Sequence, residues 1–100
     1  MADAPDANGI AREHRDGRGR YVLVRDGHEA ELTYRALGDD RIVAEHTGVP
    51  REMGGTGAGK ALVARLVDDA RAEGVRIVPA CSFVDAMRRR HPDWADAFAV

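Results

Sequence analysis

The chain is 100 residues long with a formal net charge of −2, which leaves room for one domain and argues against a dedicated nucleic-acid binder, whose domain is strongly basic. No apolar run approaches the ~20 residues of a membrane-spanning helix, and the first residues lack the apolar stretch of a secretory signal, so no membrane partner and a cytoplasmic location are expected. The single cysteine, Cys81, excludes an intramolecular disulfide and a zinc site of several thiolates, and the four histidines show no close ligand spacing, so no metal is expected.

Residues 1–19 are polar, with one isoleucine and no period, and read as a disordered or loosely attached arm. Residues 20–100 read as one domain. Tyr21–Val24 is a short run of β-formers, Asp26-Gly27 is a hairpin signal, and Ala30, Leu32 and Tyr34 alternate with polar residues. Gly38-Asp39-Asp40 marks a second turn. Ile42, Ala44 and His46 then alternate with Val43, Glu45 and Thr47 in a strand running toward Val49, so residues 20–49 predict a three-stranded antiparallel meander. Pro50 ends that strand. Ala58, Leu62, Leu66 and Ala70 form the apolar stripe of a helix closed by Gly74. Val75–Val78 predicts a short strand stopped by Pro79, a second helix runs from Ser82 or Phe83 to Arg90, and a turn over Asp93–Phe98 closes the chain. The class is α/β: a meander, then a right-handed β-α-β crossover.

Hydrophobic residues make up 44 %, but 17 of them are alanine and only 20 residues are Leu, Ile, Val or Phe. The core is therefore small, and such a domain gains from a ligand or a second subunit. A monomer or weak homodimer is expected.

Between strand and helix lie four glycines in the six positions Gly54–Gly59. A helix N-terminus offers unpaired N–H groups and a partial positive charge, and glycines let a phosphate approach them. The amides from Gly55 through Thr56, Gly57, Ala58 and Gly59 to Lys60 are the expected diphosphate cradle, with the only lysine adding charge. A P-loop fits up to Gly59-Lys60, but Ala61 lacks the hydroxyl that holds magnesium. The dinucleotide pattern G-x-G-x-x-G fails because Lys60 stands at its third glycine.

Gly57-Ala58-Gly59 resembles instead the loop of the GCN5-related N-acetyltransferases, whose pattern is Q/R-x-x-G-x-G/A. Gly54 departs from it at the Q/R position, and Arg51 is the nearest substitute charge. Glu45-His46-Thr47-Gly48-Val49-Pro50, Gly55–Val63, Val78-Pro79-Ala80-Cys81-Ser82-Phe83-Val84 and Arg89-Arg90-His91-Pro92 together resemble the minimal acetyltransferase-like subgroup over roughly residues 20–98. Ser82 stands where proline is usual and Met87 where a tyrosine is common. The resemblance implies a compact fold with two splayed central strands and a bound acetyl-CoA. Its pantetheine arm would lie along Thr47, Gly48 and Val49 and its pyrophosphate on the 55–60 loop.

Transfer to an amine needs a base or a neutral amine, donors for the oxyanion and an acid for the leaving thiolate. Cys81 is the candidate nucleophile, set against the ordinary role of a small buried residue; a helix start and His46 are the groups expected to lower its pKa. Glu45 and His46 are candidate bases that strand alternation places on opposite faces, His46 on that of Ile42 and Ala44. The acceptor is an unknown amine, small or on a protein. The alternative is a non-catalytic CoA-binding module or partner subunit, favoured by the departures at Gly54 and Met87.

Overall fold

A computed structural model describes residues 4–100. One five-stranded sheet has the order β1 (Ile10–Arg15), β2 (Arg18–Arg25), β3 (His28–Leu37), β4 (Arg41–Gly48) and β5 (Arg76–Pro79). The first four strands are antiparallel neighbours, and β5 lies parallel to β4. Helix α1 (Ala58–Glu73) makes the crossover between β4 and β5, and helix α2 (Ser82–Arg90) follows β5. A 3-10 segment, Pro92–Ala97, leads to a tail whose Ala99 N–H donates to Ile77 O at 2.8 Å, closing the outer edge of β5.

The predicted meander gains a strand. Ile10–Arg15 lies in the stretch expected to be a loose arm, yet it pairs with β2 along its whole length. The cause is a second Asp-Gly turn. Asp16 and Gly17 have φ of 52° and 76°, and Asp26 and Gly27 have 50° and 78°. Positive φ at both central positions is the tight hairpin turn whose twist matches that of the strands. Residues 1–3 of the expected arm lie outside the described residues.

The strand β1 shows no apolar period because its middle inward residue is an arginine. Arg12 lies opposite Tyr21, its guanidinium 5.5 Å from the Tyr21 ring and 5.3 Å from the Tyr34 ring. It donates through Nε to the Tyr34 hydroxyl at 2.8 Å and pairs with Glu73 and, at 3.4 Å, with Asp69. Asp69 also accepts from the Tyr21 hydroxyl at 2.9 Å and from Arg65 Nε at 3.0 Å. Arg65 in turn holds Asp6 at 3.0 Å and Ile10 O at 3.1 Å. Stacking on aromatic faces and full pairing make the part-burial of these charges tolerable.

All helix residues of the core, Leu62, Leu66, Val84 and Met87 among them, fall in one cluster with Tyr21, Leu32, Tyr34, Ile42, Ala44 and Ile77 from a single face of the sheet. Both helices therefore pack on that face. The other face has no helix. Its Val22 and Val43 are buried outside the cluster, beside Glu31 and Arg35 in cross-strand register. Among the described residues no helix is long and apolar enough to cross a membrane.

Candidate functional site

The site is built where β4 and β5 part. They pair only from Arg41 with Arg76 to Ala44 with Pro79. Cys81 N–H still donates to Ala44 O at 2.8 Å, after which β4 runs on through Glu45, His46, Thr47 and Gly48 paired with β3 alone. This leaves backbone groups of β4 facing a gap that opens toward the first turns of both helices.

A bulge decides which side chains face that gap. Thr33 pairs with His46 and Tyr34 with Ala44, so Glu45 is an extra residue with no partner. One inserted residue reverses the alternation beyond it. Thr47, opposite Leu32, therefore shares the core face with Ala44, while His46, opposite Thr33, lies on the bare face. The expectation from simple alternation is overturned for His46, which does not share the face of Ile42 and Ala44 and is exposed, as Glu45 is. Glu45 pairs there with Arg35 at 3.1 Å.

Thr47 brings its hydroxyl to 3.4 Å from Cys81 Sγ. Cys81 is the residue that caps α2, and it is 8 % exposed. Burial pushes its thiol up. The Thr47 hydroxyl, the amides of Val84 and Phe83 and the Thr47 amide act the other way and together hold the thiol below its ordinary value. The two helix amides reach toward the sulfur without closing a capping hydrogen bond. The expected helix start thus acts on Cys81. The expected influence of His46 is replaced by that of Thr47, a residue assigned from the sequence only a backbone role.

The glycine loop divides into two parts. A one-turn 3-10 segment, Arg51–Met53, turns Gly54 N–H onto Arg51 O at 2.9 Å, and a Cβ on Gly54 would stand 3.1 Å from that same oxygen. That contact explains a glycine where the related pattern has Gln or Arg. Thr56 is exposed but turns back on the same segment, its hydroxyl donating to Met53 O at 2.6 Å and its amide at 3.3 Å, which removes one amide from the six expected in the cradle. The open part starts at Gly57. It caps α1 in the left-handed region (φ 79°), which only glycine adopts without strain, and no side chain caps the helix there. The amides of Ala58, Gly59 and Lys60 have no carbonyl one turn back and form a donor set for an anion. Lys60 is exposed, and the first turn carries no acidic residue. A Cβ on Gly55 or Gly57 would meet nothing within 4 Å, the room a ligand needs.

Gly59 has a different reason for being glycine. A Cβ there would come within 2.5 Å of the Phe83 ring, which lies across the start of α1 and joins it to α2. Arg51 and Val49 are exposed at the rim, Gly48 half-buried beside them. Met87 is buried in the core. Among the described residues no cluster of His, Cys, Asp and Glu has the makings of a metal site.

Residues 20–97 match the family model of the GCN5-related N-acetyltransferases. The solution structure of a "GCN5-like putative N-acetyltransferase" from Staphylococcus aureus is similar at a TM-score of 0.70 and 29% identity, over 94% of this chain and 91% of that one. No curated protein sequence matches. The five-stranded sheet, the splayed strands and the glycine-capped helix are the form this family takes here, and the chain belongs to the GCN5-related N-acetyltransferases.

Proposed function

We propose that the protein is an acetyl-CoA-dependent N-acetyltransferase in which Cys81 receives the acetyl group and passes it to an amine. The observation that carries this reading is the setting of the Cys81 sulfur, against Thr47 and the amides of Phe83 and Val84 at the mouth of the gap between β4 and β5.

Acetyl-CoA supplies an activated acetyl thioester. Gly57, Ala58, Gly59 and Lys60 bind its diphosphate through backbone donors and one ammonium, and the free edge of Thr47, Gly48 and Val49 holds its amide-bearing arm by strand addition. Arg51 adds charge at the rim. Cys81 Sγ, as thiolate, attacks the acetyl carbonyl carbon. A new C–S bond forms, the bond to the coenzyme sulfur breaks, and that sulfur leaves as a thiolate and takes up a proton. A neutral amine then attacks the acetyl-Cys81 carbon; the C–N bond forms, Cys81 is released as thiolate, and the nitrogen loses one proton. Glu45 and His46, both exposed at the bulge, take it up on the far side of the gap from the Cys81 sulfur.

A second reading, a coenzyme-binding module without turnover, draws on Met87. Where relatives carry a tyrosine that serves as acid, this chain buries a thioether in the core. Thermal unfolding with acetyl-CoA tests the binding that both readings share. At a hundredfold excess over its dissociation constant it adds about 2.7 kcal/mol, a rise of several degrees in Tm for a domain of this size. ATP and NAD at equal concentration are expected to add little. Release of free CoA with an amine panel then separates the two.

A further inference from the structure

The bare face of the sheet carries three arginines in cross-strand register: Arg15 lies opposite Arg18, and Arg18 opposite Arg35. Like charges directly opposite, with Cβ atoms about 5 Å apart, destabilise a sheet. The protein leaves them largely uncompensated. Arg35 has Glu45 at 3.1 Å. Arg15 has Asp16 at 3.6 Å, with both side chains about nine-tenths exposed at 89% and 90%. Among the described residues no carboxylate pairs with Arg18, whereas the neighbouring Arg20 alone takes Glu13, Glu29 and Glu31 at 2.8–3.0 Å. The carboxylates are thus gathered one row away from the arginines that lack them.

A shallow trough of about 590 Å³ runs past Arg15 and Arg18 but not Arg35; its lining includes Glu13, Arg20, Thr33 and Glu45, with His14, Gly19 and Tyr34 completing it. Its far end is the bulge at Glu45, beside His46, where β4 leaves β5 and backbone pairing no longer seals the sheet. One end is therefore cationic, and at the other Glu45, paired with Arg35, stands where β4 leaves β5, with Cys81 across the gap on the core side.

We infer that this trough is the acceptor site, and that it takes an amine bearing an anionic group, carboxylate or phosphate, at its other end. The inference rests on the acetyltransferase reading above. Arg15 and Arg18 grip the anion through charge-assisted forks. Glu45 and His46 receive the amine. Strands β2 and β4 are two spacings apart, about 10 Å, so several bonds separate the two ends of the acceptor. The neutral nitrogen attacks the acetyl carbon carried on Cys81; the C–N bond forms as the C–S bond to Cys81 breaks, and the proton lost by nitrogen passes to Glu45 or His46 and balances the one taken up earlier by the coenzyme thiolate.

The test uses the full chain and three probes of equal length: ε-aminocaproate, 5-aminopentylphosphonate and hexylamine. Backbone amide NMR shifts are recorded with and without acetyl-CoA, and kcat/KM for CoA release is measured for each amine. The two anionic amines are expected to shift Arg15, Arg18 and Thr33 at concentrations where hexylamine does not, and to exceed it as acceptors by about tenfold or more. The carboxylate and phosphonate arms show which anion is preferred. Arg15→Ala/Arg18→Ala is expected to bring that ratio toward one while leaving the Tm rise with acetyl-CoA unchanged. The variant itself melts no lower, because it removes a like-charge pair. Equal use of hexylamine, a preference that survives in the double variant, or shifts that map elsewhere overturn the assignment. Failure of the acetyltransferase reading shows separately as no Tm rise with acetyl-CoA; the shifts recorded without it then still decide whether the trough binds an anionic amine.

Discussion

The hydroxyl of Thr47 lies 3.4 Å from the sulfur of Cys81, across 34 residues of sequence. The contact exists because one extra residue, Glu45, turns Thr47 onto the core face. Thr47→Val keeps the shape and removes the hydroxyl. One lost hydrogen bond to a charged group is worth about 1.5 kcal/mol, so the thiol rises and alkylation by iodoacetamide near neutral pH slows by up to about tenfold. Thr47→Ser is expected to restore the rate. An unchanged rate in Thr47→Val contradicts this role.

The depressed Cys81 thiol also makes stability depend on pH. In the window between its folded value and the ordinary thiol value of about 8.5, the native state binds fewer protons than the unfolded chain. Stability from this group therefore rises with pH through the window and is lost as pH falls through the folded value. Urea unfolding of the wild type and Cys81→Ala at a series of pH values is expected to show a steeper rise for the wild type. Parallel profiles contradict it.

Gly57 and Gly59 are glycines for different reasons, and alanine separates them. Gly59→Ala meets the Phe83 ring at 2.5 Å and is expected to destabilise the fold by about 1–3 kcal/mol, with Phe83→Leu recovering much of the loss. Gly57→Ala meets no neighbour within 4 Å but must hold φ near 79°. It costs about 1 kcal/mol of strain and weakens acetyl-CoA, because the new methyl enters the space the diphosphate needs. Strong coupling of Phe83→Leu to position 59 and none to position 57 is the expected double-mutant result.

The strand before residue 20 lies outside the family match, yet the fold depends on it. Ile10 is fully buried, and Arg12 ties β1 to α1 through Asp69 and Glu73. Arg12→Met leaves Asp69 and the Tyr34 hydroxyl short of a partner and is expected to cost about 2 kcal/mol in urea unfolding. A chain beginning at residue 20 is expected not to fold cooperatively, as judged by amide dispersion. A well-dispersed spectrum from that chain contradicts the role given to β1.

These elements also mark what the sequence discloses. The hairpin of β2 and β3 is legible because Asp26-Gly27 is flanked by alternating apolar residues. The hairpin of β1 and β2 has the same turn at Asp16-Gly17, but Arg12 fills an inward position that periodicity reserves for a hydrophobe. Its aromatic and acidic partners lie far along the chain. Helix α1 and its glycine entry are legible from stripe and composition, since both are local. The bulge at Glu45 is a backbone event between two strands; its one trace in sequence is the pair Glu45-His46 breaking the apolar run Ile42-Val43-Ala44. Missing that bulge puts His46 on the wrong face and hides Thr47. Gly59 reads as a phosphate glycine until Phe83 is seen against it.

In the proposed reaction Cys81 carries the acetyl group. Intact-mass measurement after incubation with acetyl-CoA, with and without an acceptor amine, tests it most directly. A single added acetyl on Cys81 is expected, labile to hydroxylamine, lost when amine is supplied, and absent in Cys81→Ala, which still binds acetyl-CoA but no longer transfers. An unmodified Cys81 together with full transfer activity in Cys81→Ala would contradict it.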